Sequence, residues 1–255
     1  PQGRPHIACG RDHLYYVFHD GGGWQYEVAD SSVGVGLYAS LALGLSDYPH
    51  ISYYDSTNSG LKHAHRDASG WHTQTVATVG YSGYYTSVTL DTLDCPHISY
   101  YTDTPSNAVR YARRDASGWW HIENVDAPIM CWDTSLALDG SGDHLLATHD
   151  RRGLLRHRVG ASVGLEPWGG AAGRRCRGSL AWSPDRSLLA CATGGGAAVL
   201  ASTDGRLVHD LSVGDGGEPL TALAFSPDGA ALIGTSGGRM LSWSLAERAR
   251  EGASR

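Results

Sequence analysis

Pro49-His50-Ile51-Ser52-Tyr53-Tyr54 and Pro96-His97-Ile98-Ser99-Tyr100-Tyr101 are one phrase written twice, 47 residues apart, and Pro5-His6-Ile7 opens a shorter copy 44 residues before the first. Repetition at this period marks a stacked or radial array, because a unit of that length cannot bury its apolar face alone and needs neighbours to cover it. A second phrase carries the same rhythm onward: Ser40-Leu41-Ala42-Leu43, Ser87-Val88-Thr89-Leu90, Ser135-Leu136-Ala137-Leu138, Ser179-Leu180-Ala181-Trp182 and Ala222-Leu223-Ala224-Phe225, at steps of 47, 48, 44 and 43. Each copy opens four short alternating or apolar runs separated by turn residues, which predicts four antiparallel strands per unit.

In the unit beginning at Ser87 the four strands are expected over 87–90, 98–101, 108–113 and 120–125. Between the third and fourth stands Arg114-Asp115-Ala116-Ser117-Gly118-Trp119. Arg66-Asp67-Ala68-Ser69-Gly70-Trp71 occupies the same place one unit earlier, and His19-Asp20-Gly21-Gly22-Gly23-Trp24 is a looser first copy. The Asp can accept hydrogen bonds from the turn backbone and the Gly supplies a positive φ, so these are hairpin loops. Four-stranded units of this length around an axis make an all-β propeller.

The later units carry a resemblance to a family. Thr221-Ala222-Leu223-Ala224-Phe225-Ser226-Pro227-Asp228-Gly229, followed by residues 230–236 and 238–245, resembles a WD40 repeat, and residues 179–192 with Ser183-Pro184-Asp185 resemble another. Trp243-Ser244 stands where that family has Trp-Asp, and no Gly-His pair precedes either unit, so the family's hydrogen-bonded tetrad is not expected. The tyrosine-rich units over 34–130 are similar to tandem propeller repeats of large bacterial proteins. Residues 5–30 match strands two to four of a unit, and residues 221–245 match strands one to three. The expectation is one propeller over 1–250 with six blades, five and seven being the alternatives: a partial blade at 1–33, tyrosine-rich blades at 34–130, a transitional blade at 131–178, WD40-like blades at 179–250 and a tail at 251–255.

Bulk composition narrows the function. The chain has 255 residues and 41% hydrophobic content, enough for a sizeable core. No apolar run approaches the roughly 18 residues of a membrane helix, and no charged-then-apolar leader opens the chain, so a soluble protein without membrane insertion is expected. Pro1 in place of Met suggests processing or excision from something longer. Five cysteines without Cys-x-x-Cys spacing argue against a disulfide framework and a zinc site, so free thiols are expected, which favours a cytoplasmic over a secreted setting. All 13 tyrosines fall between Tyr15 and Tyr111, and the acidic excess lies before residue 131, with 13 acidic and 7 basic side chains. Lys62 is the only lysine, and reads as the arginine bias of a GC-rich bacterial genome.

Several residue sets could carry chemistry. His6, His50, His97 and His144 recur at the start of strand two. Copies on neighbouring blades should stand on the order of 10 Å apart, too far to share one metal ion, so each is expected to tie the turn between strands one and two to its own blade. Asp12, Asp55, Asp103 and Asp150 fall in the turns between strands two and three, as local caps or as ligand acceptors. On the same face, Tyr38, Tyr81, Tyr84, Tyr85 and Trp132 are expected just ahead of the inner strands, either packed on neighbouring loops or exposed as a stacking platform. Arg151, Arg152, Arg156, Arg158, Arg174, Arg175 and Arg177 cluster near the fourth unit. With a pI near 6.1 and no interleaved aromatics, they read as a solvated face and not as a nucleic-acid site.

For catalysis the chain has no Gly-x-Ser-x-Gly elbow, phosphate loop or His-Glu-x-x-His. The Asp-Ala-Ser-Gly-Trp loops resemble the Asp-box turns of sialidases, which are structural in that family too. The expectation is a non-enzymatic binding or scaffolding module without cofactor or metal, a monomer or part of a multidomain chain. Its partner is a protein or extended ligand on one loop face; a glycan stacked on Tyr38, Tyr84, Tyr85 and Trp132 with Asp55 and Asp103 as acceptors is the alternative, and a propeller hydrolase or lyase comes third.

Overall fold

The computed structural model describes residues 4–104, 107–126, 133–138, 144–150, 153–158, 166–173, 175–214 and 218–245. Its first eleven strands are β1 (His6–Gly10), β2 (Leu14–His19), β3 (Trp24–Asp30), β4 (Val35–Leu43), β5 (Pro49–Asp55), β6 (Gly60–Asp67), β7 (Gly70–Ala77), β8 (Ser82–Leu90), β9 (Pro96–Thr102), β10 (Ala108–Arg114) and β11 (Trp120–Asp126). They are followed by β12 (Thr134–Leu138), β13 (His144–Asp150), β14 (Gly153–Arg158), β15 (Glu166–Pro167), the one-turn helix α1 (Gly170–Gly173), β16 (Cys176–Trp182), β17 (Leu188–Thr193), β18 (Gly196–Ala201), β19 (Leu207–Ser212), β20 (Ala222–Phe225), β21 (Ala231–Ser236) and β22 (Arg239–Ser244).

Every sheet is a consecutive antiparallel meander. β4–β7, β8–β11, β12–β15 and β16–β19 are complete four-stranded blades, while β1–β3 and β20–β22 have three strands each among the described residues. The two short sheets are the ones in which the repeats leave strand one and strand four unwritten. The chain divides into two compact units, residues 1–130 with 140–144 and residues 131–139 with 145–255. Tyrosine-rich composition ends at the same place.

In the first unit the Pro-His-Ile-Ser-Tyr-Tyr phrase forms the second strand of a blade, and β5 and β9 are buried along their whole length. Such a strand is covered on both faces, so apolar and aromatic residues succeed one another without a solvent face. Leu14, Tyr16, Val35, Ile51, Tyr53 and Ala64 form the core between the first two sheets, with Trp71 packed on it. Leu61, Val88, Ile98, Tyr100 and Ala112 form the next, with Trp120 on it. Tyr53, Tyr100 and Tyr111 are among the largest fully buried side chains. The tyrosine-rich phrase is therefore core as well as surface.

The outer tryptophans clip successive sheets together. Trp71 Nε1 donates to Glu27 Oε2 on β3 (2.7 Å), and Trp120 Nε1 donates to Gln74 Oε1 on β7 (3.0 Å). Inner strands are joined by the serine of the second phrase: Val88 N donates to Ser40 Oγ (3.1 Å), and in the second unit Leu223 N donates to Ser179 Oγ (3.3 Å).

The hairpin loops follow their chemistry. Asp67 Oδ1 accepts from Ser69 N (2.7 Å), and Asp115 Oδ1 accepts from Ser117 N (2.9 Å) and Trp119 N (3.0 Å). In the WD40-like turns Ser183 and Ser226 donate to Asp185 and Asp228 at 2.6 Å. Gly229 takes φ 71° there, and Arg186 takes φ 60° at the equivalent position.

The cysteines differ from expectation. Cys176 on β16 and Cys191 on β17 form a disulfide across a Cα–Cα distance of 5.6 Å, whereas Cys9 and Cys95 are free. Antiparallel pairing brings together two residues 15 apart in a way that spacing alone does not announce. Free thiols throughout was the wrong expectation, and the disulfide removes the reason to favour a reducing setting.

Candidate functional site

The inner strands β4 and β8 begin earlier than alternation predicts, because each passes through two register shifts before settling. The shifts fall at Val35/Leu37 and Leu37/Ser40 in β4, and at Ser82/Tyr84 and Tyr84/Ser87 in β8. Tyr38, Tyr84 and Tyr85 consequently lie inside bulged strand and not in the connection ahead of it.

Both bulges use the same backbone. Gly36 and Gly83 take φ 104° and 112°, and Tyr38 and Tyr85 follow at 55° and 52°. Glycine is required on two counts: the positive φ, and a Cβ at position 36 that would stand 2.8 Å from Gly10 Cα. A left-handed conformation at a tyrosine costs about 1–2 kcal/mol. It appears at both tyrosines, 47 residues apart. At Tyr38 a blade-to-blade contact holds it in place: Thr86 Oγ1 donates to the Tyr38 carbonyl (2.8 Å) and shares a hydrogen bond with buried Ser52 Oγ (2.7 Å).

The result is a four-ring cluster spanning two blades. Tyr38 meets Tyr84 edge-on at 5.3 Å and Tyr85 at 4.9 Å between centroids, and Tyr54 stacks on Tyr84 at 4.8 Å. Tyr54 is the buried floor, Tyr84 and Tyr85 are half-buried, and Tyr38 is 39% exposed. Nearby Tyr81, in the connection between blades, is 46% exposed. Burial, a hydrogen bond with Tyr54 and the charge of Asp103 push the Tyr84 hydroxyl above its ordinary pKa, so this ring stays neutral over the working pH range.

The turn aspartates are engaged locally. Asp55, 3% exposed, accepts from Asn58 N at Oδ1 and from Asn58 Nδ2 at Oδ2, both at 2.9 Å. Asn107, oriented with its amide nitrogen toward Asp103, donates to Asp103 Oδ1 at 3.0 Å. Trp132 lies outside the described residues, as do Arg151, Arg152 and Arg174. The side chains of His144, Asp150, Arg156, Arg158 and Arg177 are likewise outside what is described. Arg175 pairs with Asp210 at 3.0 Å, both about half exposed.

The histidines act within their blades. His6 Nδ1 and Tyr16 Oη share a hydrogen bond of 2.5 Å, as do His97 Nδ1 and Tyr111 Oη, joining strand two to strand three. His97 Nε2 also lies 3.5 Å from Asp91 in the turn between strands one and two, the tie expected of it.

Two features are not apparent from the sequence. Tyr54 is hidden in the core phrase, although period-two alternation puts it on the face opposite Tyr53. Asp133, at the position before β12 that corresponds to Tyr85, has its carboxyl raised to about 7, because burial outweighs backbone hydrogen bonds from Thr134 and Leu180.

No protein-family model matches the chain, and no curated protein sequence matches it. Solved structures do. The Dos1 propeller is 16% identical with a TM-score of 0.59, over 95% of this chain and 64% of that one. The Cps50 (Swd1) β-propeller domain of Myceliophthora thermophila is 14% identical with a TM-score of 0.56, over 94% and 92%. A gluconolactonase from Xanthomonas campestris is 11% identical with a TM-score of 0.56, over 95% and 87%. At these identities the likeness is one of fold. The chain is an all-β propeller with four-stranded antiparallel blades.

Proposed function

We propose that the chain is a non-enzymatic binding module that presents the bulged, tyrosine-lined ends of its inner strands to a protein segment or other extended ligand. The observation that carries the reading is the paired left-handed backbone at Tyr38 and Tyr85. Strain of this kind persists where the surroundings over-determine it, and it concentrates at sites with work to do. It sets Tyr38 at the surface against a half-buried Tyr85 at low conformational-entropy cost, which is what a contact surface needs. A peptide is favoured over a glycan because Asp55, the buried one of the two candidate sugar acceptors, has both carboxylate oxygens engaged by Asn58, and Asp103 already accepts from Asn107 at Oδ1.

The test is a paired screen of peptide and glycan arrays with the wild-type chain and the Tyr38→Ala/Tyr85→Ala variant. Peptides retained by the wild type and lost by a variant of unchanged fold support the reading. Identical retention, or retention of glycans alone, defeats it. A lactone-hydrolase reading has one observation in its favour, the Asp133 carboxyl raised to about 7, alongside the gluconolactonase among the structural neighbours. Lactone hydrolysis abolished by Asp133→Asn would establish it in place of the binding module.

A further inference from the structure

The three tyrosine-rich sheets repeat one polar clasp, and the middle sheet builds it differently. His6 and His97 each meet a tyrosine hydroxyl, of Tyr16 and Tyr111. At the same register position the second blade has His63, so His50 Nδ1 meets His63 Nε2 at 3.2 Å. A phenol stays neutral throughout the acid range, whereas an imidazole gains a proton near pH 6.5 when free in water.

His63 is fully buried, and its Nδ1 has no hydrogen-bond partner among the described residues. Around the pair, β6 contributes His65, stacked on His63 at 5.6 Å, and β7 contributes His72, 5.1 Å from His65. Trp120 of β11 stands edge-on to His63 at 5.5 Å. Arg114 of β10 adds positive charge toward His50, His63 and His65. Two carboxylates oppose this. Asp94, in the turn between β8 and β9, acts on His50 but is already engaged by Leu45 N at 3.0 and 3.1 Å. Asp67 acts on His65 and is engaged by Ser69 and His72. An added proton would therefore enter a dry site rich in donors and positive charge. Burial first, then neighbouring imidazoles, hold His50 down to about 4 and His63 below its ordinary value.

We infer that the His50–His63 pair is an acid-sensitive latch: neutral, it closes β5 on β6 and seats Trp120 of the next sheet, and protonation opens that seam. Both groups bind protons more weakly in the closed state than in the open one. Closure is complete above the free-imidazole value of about 6.5 and is lost as pH falls toward 4. Each such histidine raises the opening constant about tenfold per pH unit in that window, so the pair gives about 100-fold.

The test is amide hydrogen exchange of the full chain between pH 7 and 4.5, corrected for intrinsic exchange chemistry. The comparison variant is His63→Tyr, which installs the clasp of the first and third sheets. The expected result is that β5 and β6 opening rises more steeply with acid in the wild type, by about an additional tenfold per pH unit over the variant, the share of the one histidine removed. Equal slopes in the two proteins would overturn the inference. Should the variant fail to fold, histidine ring signals of the wild type decide: His50 and His63 remaining neutral below pH 5 sustains the latch, and titration of both near 6.5 overturns it.

Discussion

Replacing Lys62 with Met tests how the first two sheets are joined. The chain's only lysine is buried, its Nζ 2.5 Å from Asp30 Oδ2 with side chains 11% and 5% exposed. Tyr53 donates to the same oxygen at 2.6 Å, and Ser32 N donates to Oδ1 at 2.9 Å. Burial alone would raise the Asp30 carboxyl, but hydrogen bonds from Lys62, Tyr53 and Ser32 outweigh it and bring it down to about 2. Against about 3.9 in an unfolded chain, that difference corresponds to about 2–3 kcal/mol of stability at neutral pH. The contribution is present above pH 4 and is lost as pH falls through about 2.

Removing one partner of a buried pair leaves the other charge uncompensated, so Lys62→Met is expected to cost about 3–5 kcal/mol at pH 7. The Lys62→Met/Asp30→Asn double variant should recover part of that loss. Urea denaturation at pH 7 and pH 3 reads both quantities, and the single variant should lose less stability than wild type on going to pH 3. A cost under 1 kcal/mol at pH 7 with an unchanged acid response would refute the reasoning.

Arg186 holds a left-handed φ where the sister turn has Gly229, so Arg186→Gly should stabilise the second unit by about 0.5–1 kcal/mol, read by denaturant midpoint. Ser40→Ala removes the acceptor for Val88 N and should cost about 1–2 kcal/mol, with faster exchange of the Val88 amide as the local signature.

The recurring Pro-His-Ile phrase, the Ser-Leu-Ala-Leu phrase and the Arg-Asp-Ala-Ser-Gly-Trp loops made the blades legible, because each maps to a fixed strand or hairpin. The starts of β4 and β8 were not legible. Alternation breaks at Gly36 and Tyr38, where two register shifts occur, and period-two reading resumes only at Ser40. The Cys176–Cys191 bond depends on cross-strand proximity and leaves no motif. Of the candidate site, Tyr38, Tyr81, Tyr84 and Tyr85 were visible as aromatics just ahead of the inner strands. Their buried floor, Tyr54, was masked by belonging to the core phrase. What Asp55 does was open until Asn58 was seen to occupy both its oxygens. Lys62 looked like a compositional remnant because its partner, Asp30, lies 32 residues away on another sheet.

The most direct test of the binding face is residue-resolved iodination of the tyrosines with and without a peptide retained in the array screen. Protection of Tyr38, Tyr81 and Tyr85, with Tyr26, 75% exposed on β3, remaining fully reactive, is the predicted result. Unprotected Tyr38 and Tyr85 in the presence of saturating ligand would contradict the account.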